Sequence, residues 1–167
     1  MSFELTLRYS TPLSPIEDLE EVLTEFLRMV GYLPPVDDGR AGEGPVRESV
    51  AYRLVHDCLL KDPARPWFAE ELVAVLKTTK PTVYRHLNKL KELDLLEGVN
   101  GGPDGAGRKG YRLRYGSLSQ AWDFTEANAQ NALRRYRETV NHLQHLLERP
   151  APAAPAARRA AQEKRGG

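Results

Sequence analysis

The alternation of apolar and polar positions is most regular between Trp67 and Leu96. Leu72, Val73 and Leu76 put apolar groups on one face of a short helix. Lys77-Thr78-Thr79 breaks that pattern with no apolar residue. Val83, Leu87 and Leu90 then recur at spacings of four and three, which predicts a second helix with one buried stripe. Thr79 stands where a hydroxyl can take an orphan backbone N–H of the first turn. Pro81 falls within that turn, where a missing N–H costs nothing. Asp94 closes the helix, and Asp tolerates a left-handed turn better than most residues. Two short helices joined by a tight turn predict a helix-turn-helix.

Further on, Leu95 to Asn100 reads as a strand and Gly110 to Tyr115 alternates as a second one. The glycine-rich run from Gly101 to Gly107 between them reads as a turn by composition. Helix, turn, helix and hairpin, with Arg108 and Lys109 beside the glycine tip, is the order of a winged helix.

Upstream, Phe3, Leu5 and Leu7 alternate with Glu4, Thr6 and Arg8, predicting a short half-buried strand. Ser14-Pro15-Ile16-Glu17 has the form of a capping box. It would open a helix carrying Ile16, Leu19, Leu23, Phe26 and Val30, with Gly31 as its stop. Leu33 to Pro45 reads as a linker. A helix from about Pro45 to Leu60 follows, with Val46, Val50, Leu54 and Cys58 in one row and Ala51, Val55 and Leu59 in the next. Trp67-Phe68 suits the small strand that precedes the second helix of a winged domain.

Downstream, Ser117-Leu118-Ser119-Gln120 forms another capping box and opens the longest helix, about 45 Å at 1.5 Å per residue. Leu118, Trp122, Thr125, Ala129, Ala132, Tyr136, Thr139, Leu143 and Leu146 follow a heptad pattern, and Pro150 closes it. A stripe that long suits a dimerisation helix, with Ala129 and Ala132 allowing close approach. It would also serve a helix folded back over the wing and the first helix of one chain. Ala151 onward is low-complexity Ala, Pro and Arg, with no regular structure expected. The expected organisation is therefore an N-terminal strand, helix and linker over 1–44, a winged helix-turn-helix over 45–116, a long helix over 117–149 and a tail over 150–167. The fold class is mainly α with a small β-hairpin.

The outer face of the second helix carries the candidate chemistry. At about 100° per residue, Pro81, Arg85 and Asn88 point opposite the Val83–Leu87–Leu90 stripe, flanked by Thr82, Tyr84 and Lys89. Arg and Asn are the side chains best shaped to grip guanine and adenine edges with paired hydrogen bonds. A basic, merely solvated helix face would read the same. The wing that follows favours nucleic acid, because Arg108 and Lys109 would lie against a phosphate backbone or minor groove.

The stretch TVYRHLNKLKELDLLEG, followed by GRKGYRLRYG, resembles the DNA-binding core of winged-helix regulators of the ArsR, MarR and TrmB type. Thr82-Val83, His86-Leu87 and Leu90 are similar to their recognition-helix pattern, and Gly107 to Tyr111 to their basic wing and returning strand. The resemblance covers roughly Val46 to Tyr115. It implies a DNA-binding transcriptional regulator, though winged helices also serve as protein-binding modules.

Charge adds to this picture. Of 167 residues 28% are charged, yet the net charge is only +1. Met1 to Arg40 holds eight Asp/Glu against three Lys/Arg, whereas Trp67 to Tyr115 holds nine Lys/Arg against six Asp/Glu. The basic excess thus falls on the expected DNA-binding core. One cysteine permits no internal disulfide, and with neither a long apolar run nor a signal peptide the expectation is a cytoplasmic protein without a membrane partner.

Catalytic and metal chemistry find little support. Cys58 lies on an apolar helix row with no second thiol. His142 and His145 are three apart but lack an obvious third ligand. His86 borders the buried stripe and reads as a hydrogen-bonded structural histidine rather than a catalyst. No Ser/His/Asp arrangement, phosphate-binding loop or dinucleotide fingerprint is present. The expectation is a homodimer without cofactor that occupies a pseudo-palindromic site on double-stranded DNA. The alternatives are a winged-helix interaction module within a larger assembly, and a regulator whose small-molecule effector sits between the N-terminal and long C-terminal helices.

Overall fold

A computed structural model describes residues 2–8, 12–35, 45–101 and 107–150. It divides the chain into two units, 1–129 and 130–167. The wing tip, 102–106, most of the expected linker, 36–44, and the tail from Ala151 lie outside the described residues.

The first unit is built on helices. α1 spans Leu19–Met29 and buries Leu23 and Leu27. It does not begin at the expected Ser14 box. The backbone instead turns at Leu13–Ile16, and Asp18 caps the helix by accepting from the Glu21 N–H at 3.0 Å. Asp is at least as good an N-cap as Ser, and its charge meets the positive end of the helix dipole directly. Gly31 ends α1 with φ +83°, as glycine can.

The expected N-terminal strand is absent. Phe3 and Leu5 are half-buried, but Leu7 is 67% exposed, and residues 2–8 join no ladder. One backbone bond, from the Glu4 N–H to the Glu92 carbonyl at 3.0 Å, ties this segment to the body. Alternation specifies a strand only where a neighbouring edge can accept it, and here the neighbour is the end of a helix.

α2, Val50–Arg53, is capped by Ser49 and runs directly into a π-helical turn over Leu54–Leu59. It starts later than the expected Pro45, with a short 3-10 turn at Val46–Glu48 before it. The wider turn brings both expected rows inward, so that Leu54, Val55, Cys58 and Leu59 are all buried. α3, Ala69–Leu76, ends at Lys77, whose φ is +51°. Arg53 then donates to the Val75 and Leu76 carbonyls at 3.3 and 3.5 Å, occupying acceptors that a helix end leaves orphaned. α4, Lys80–Glu92, follows after three residues and buries Val83, Leu87 and Leu90.

β1, Leu96–Asn100, and β2, Lys109–Leu113, pair antiparallel with Gly98 opposite Tyr111. Trp67 adds a single bridge to Tyr111 through two backbone bonds of 2.8 Å, the expected small strand reduced to one residue. α5 spans Leu118–Glu148. Ala121 and Thr125, in its first turns, are fully buried, and Trp122 meets Phe26 edge-on at 5.4 Å. In the second unit every residue from Gln130 to Pro150 is exposed except half-buried Ala132. The fold is mostly helical with one two-stranded hairpin, in the order of a winged helix-turn-helix.

Candidate nucleic-acid interface

α4 is amphipathic in a way that decides which face remains available. Thr79 caps it, its hydroxyl accepting from the Thr82 N–H at 3.4 Å and meeting the Thr82 hydroxyl at 2.9 Å. Pro81 occupies the first turn as expected. With Val83 and Leu87 fully buried, Pro81, Arg85, Asn88 and Lys89 are left exposed on the opposite side. Thr82 is half-buried, and Tyr84 is also half-buried, its ring packed on the core, so it offers less of itself outward than its flanking position suggests. The side chains of Arg85, Asn88 and Lys89 make no hydrogen bond or ion pair with any described residue. Their donors therefore remain available to a partner.

At the N-terminal end of α4, Lys80 pairs with Glu70 at 3.2 Å, both exposed. The Glu70 carboxyl is held below its usual range by its own backbone N–H at the start of α3, then by Lys80, and more weakly by Arg108. Arg108, exposed at the base of the wing, thus sits within electrostatic reach of Glu70 at the start of α3. Lys109 points elsewhere. Its stem lies across Gly98, where a Cβ would come within 2.3 Å of the lysine Cε, and its ammonium is 5.9 Å from the Tyr111 ring. Lys91 lies over the same ring at 4.3 Å. The two wing cations expected to act together therefore face different neighbours, and Lys91 joins the group unexpectedly.

His86 is buried at 9% exposure and faces the Tyr32 ring edge-on at 6.2 Å, but its Nδ1 has no hydrogen-bond partner among the described residues, unlike the hydrogen-bonded histidine expected. Burial first, then Arg85 and Lys89, push its pKa down from 6.5 to about 4. Cys58 is fully buried, and burial pushes its thiol up. No cluster of three or more His, Cys, Asp or Glu that could hold a metal ion occurs among the described residues. At the α1–α5 junction, the place named for an effector in the alternative reading, Phe26 meets Trp122. A cavity of about 200 Å³ lies beside the C-terminal end of α4, lined by Glu4, Thr6, Tyr32, Lys89, Glu92 and Leu93 among others.

Residues 48–99 match the family model described as a helix-turn-helix domain. The chain carries a helix-turn-helix domain. The matched span runs from α2 through β1, so the resemblance seen in the sequence holds at the level of fold. A comparison with curated proteins finds no significant match. Among solved structures, the chain is similar to Lactococcus lactis ZitR, E41A mutant, with 13% identity over 95% of this chain and 100% of that one, TM-score 0.35. It is also similar to wild-type ZitR in complex with DNA, at 14% identity over 83% and 97% of the two chains, TM-score 0.32. Staphylococcus aureus MepR, a transcription regulator of the multidrug efflux pump MepA, gives 13% identity over 77% and 87%, TM-score 0.33. Overlaps this loose carry no argument about what the present chain binds. No helix among the described residues is long and apolar enough to cross a membrane.

Of the residues expected in a dimer seam, Leu118 and Trp122 are partly buried against this chain's own core. Thr125, read as part of the same stripe, is buried and donates its hydroxyl to the Leu93 carbonyl at 2.6 Å. Ala129 and Ala132 are half-buried, while Tyr136, Leu143 and Leu146 are exposed. Leu133, Val140 and Leu147 are also exposed and were missed, because the expected stripe ran through the smaller residues beside them.

Proposed function

We propose that this chain is a transcriptional regulator that binds double-stranded DNA sequence-specifically as a homodimer. The observation that carries the reading is the outer face of α4. Arg85, Asn88 and Lys89 stand exposed and unpartnered opposite a fully buried stripe, on the second helix of a helix-turn-helix. Arg85 is the candidate for bidentate contact with guanine and Asn88 with adenine. Thr79, Pro81, Thr82 and Lys89 line the same face, and Arg108 supports it with backbone contacts from the wing. Lys109, turned back over Gly98, has the smaller share.

Pairing rests on α5. Leu133, Tyr136, Val140, Leu143, Leu146 and Leu147 are each between 45% and 79% exposed, and their spacing of three and four places them on one stripe. A continuous exposed apolar stripe marks an interaction surface, and a second copy offers a matching one. Paired recognition helices would then lie about 34–36 Å apart, one DNA turn, on a pseudo-palindrome.

Selection of bound duplexes from a genomic or random pool tests the reading. A shared palindromic sequence is the expected outcome. Recovery without sequence preference would favour an interaction module with no operator of its own.

A further inference from the structure

A helix leaves its last carbonyls without partners, and they must be met from elsewhere. At the C-terminal end of α4 three separate segments meet them. The Glu92 carbonyl accepts from the Glu4 N–H at 3.0 Å. The Leu93 carbonyl accepts from the Thr125 hydroxyl of α5 at 2.6 Å. The Asp94 carbonyl accepts from the Arg114 Nε, just beyond β2, at 2.8 Å. Asp94 itself has φ +64°, and its carboxylate accepts from both Arg114 and Asn128 of α5. Thr125 is wholly buried and Ala121 packs one turn before it, so this end of α5 cannot slide without breaking these bonds.

We infer that Asp94, Arg114, Thr125 and Asn128 are positioning residues for DNA recognition: they fix the recognition helix to α5 and to the base of the wing. The inference rests on the DNA-binding reading above. None of the four belongs to the outer face of α4, so none is expected to touch a base. Their effect is on the angle at which Arg85 and Asn88 meet the groove. Paired base contacts tolerate little misplacement, whereas attraction to phosphates tolerates much more.

The test uses the full chain and two duplexes, one selected by the native protein from a random pool and one of scrambled sequence. Thr125→Val keeps the shape and removes the hydroxyl, and Thr125→Ser restores it. Thr125→Val is expected to lower affinity for the selected duplex about tenfold, leave the scrambled duplex within about twofold, and be rescued by Thr125→Ser. Asn128→Ala, at a half-buried site, should lower selected-duplex affinity at least about threefold with no change in far-ultraviolet dichroism. If Thr125→Val fails to fold, Asn128→Ala alone decides. Native affinity for the selected duplex in the folded variants would overturn the inference, as would an equal loss on both duplexes. If the native chain selects no sequence, the DNA reading itself fails and this inference falls with it. That outcome is distinct, because it shows before any variant is made.

Discussion

Lowering the pH should destabilise this protein through one residue on α4. His86 is buried against Tyr32, and its Nδ1 has no hydrogen-bond partner. Its pKa falls from 6.5 to about 4, through burial first and then the neighbouring Arg85 and Lys89 charges. The native state therefore binds this proton less readily than the unfolded chain does. Stability from this group is fully present above pH 6.5 and is lost as the pH falls from there through about 4. At about 1.4 kcal/mol per pKa unit, the loss approaches roughly 3 kcal/mol at most, of which about 2 kcal/mol is lost by pH 5. Carboxylates with ordinary pKa values begin to titrate at the lower end of this range, although Asp57, held low mainly by the hydrogen bond to His56, titrates below it. A variant is needed to separate them. His86→Leu keeps an apolar side chain of similar size and removes both the titration and the orphaned nitrogen. Urea denaturation of both proteins at pH 8 and pH 5 supplies the comparison. The native protein should lose about 2 kcal/mol more than the variant across that interval. Equal losses would show that His86 charges without cost and is not buried in solution.

Three further predictions concern binding and assembly. Arg85→Ala should weaken specific binding by about 1–3 kcal/mol and relax base choice at one position per half-site, and equal losses on specific and random duplexes would make it only a phosphate contact. Arg108→Ala with Lys109→Ala should weaken binding almost regardless of sequence and shrink the salt slope by about one to two units, with Arg108 giving the larger part. An unchanged slope in a salt titration would remove the wing from the interface. Leu143→Glu with Leu146→Glu should place unpaired charge in the apolar stripe of α5 and give monomers by light scattering, while thermal unfolding of the winged domain stays unchanged. A native chain already monomeric at micromolar concentration would refute that use of the stripe.

The helix-turn-helix was legible because its information is local. Val83, Leu87 and Leu90 declare one face by spacing alone, Thr79 declares the cap, and Asp94 the left-handed turn, each within a few residues of its effect. The candidate base-reading face follows by subtraction from the buried one. Elements that depend on a distant partner were less legible. Phe3 and Leu5 alternate like a strand, yet the segment meets a helix end rather than a sheet edge. Thr125 falls on the heptad of α5 and looks like one more seam position, but its hydroxyl belongs to a carbonyl 32 residues earlier. Lys109 follows Arg108 in the sequence, but Gly98 on the opposite strand opens the space that turns it away. Periodicity reports which side of an element is apolar. It does not report what a polar group on that side will find.

The convergence on the end of α4 also bears on how the chain is made. Its last turn is closed by groups 20, 32 and 34 residues downstream, and by Glu4 far upstream. A chain growing on the ribosome exposes α3 and α4 well before Thr125 and Asn128 emerge. Until then α4 has its apolar stripe, but its Leu93 carbonyl lacks the Thr125 hydroxyl. Its final registration is accordingly a late, long-range event of synthesis, after the local helices have formed and when α5 first docks.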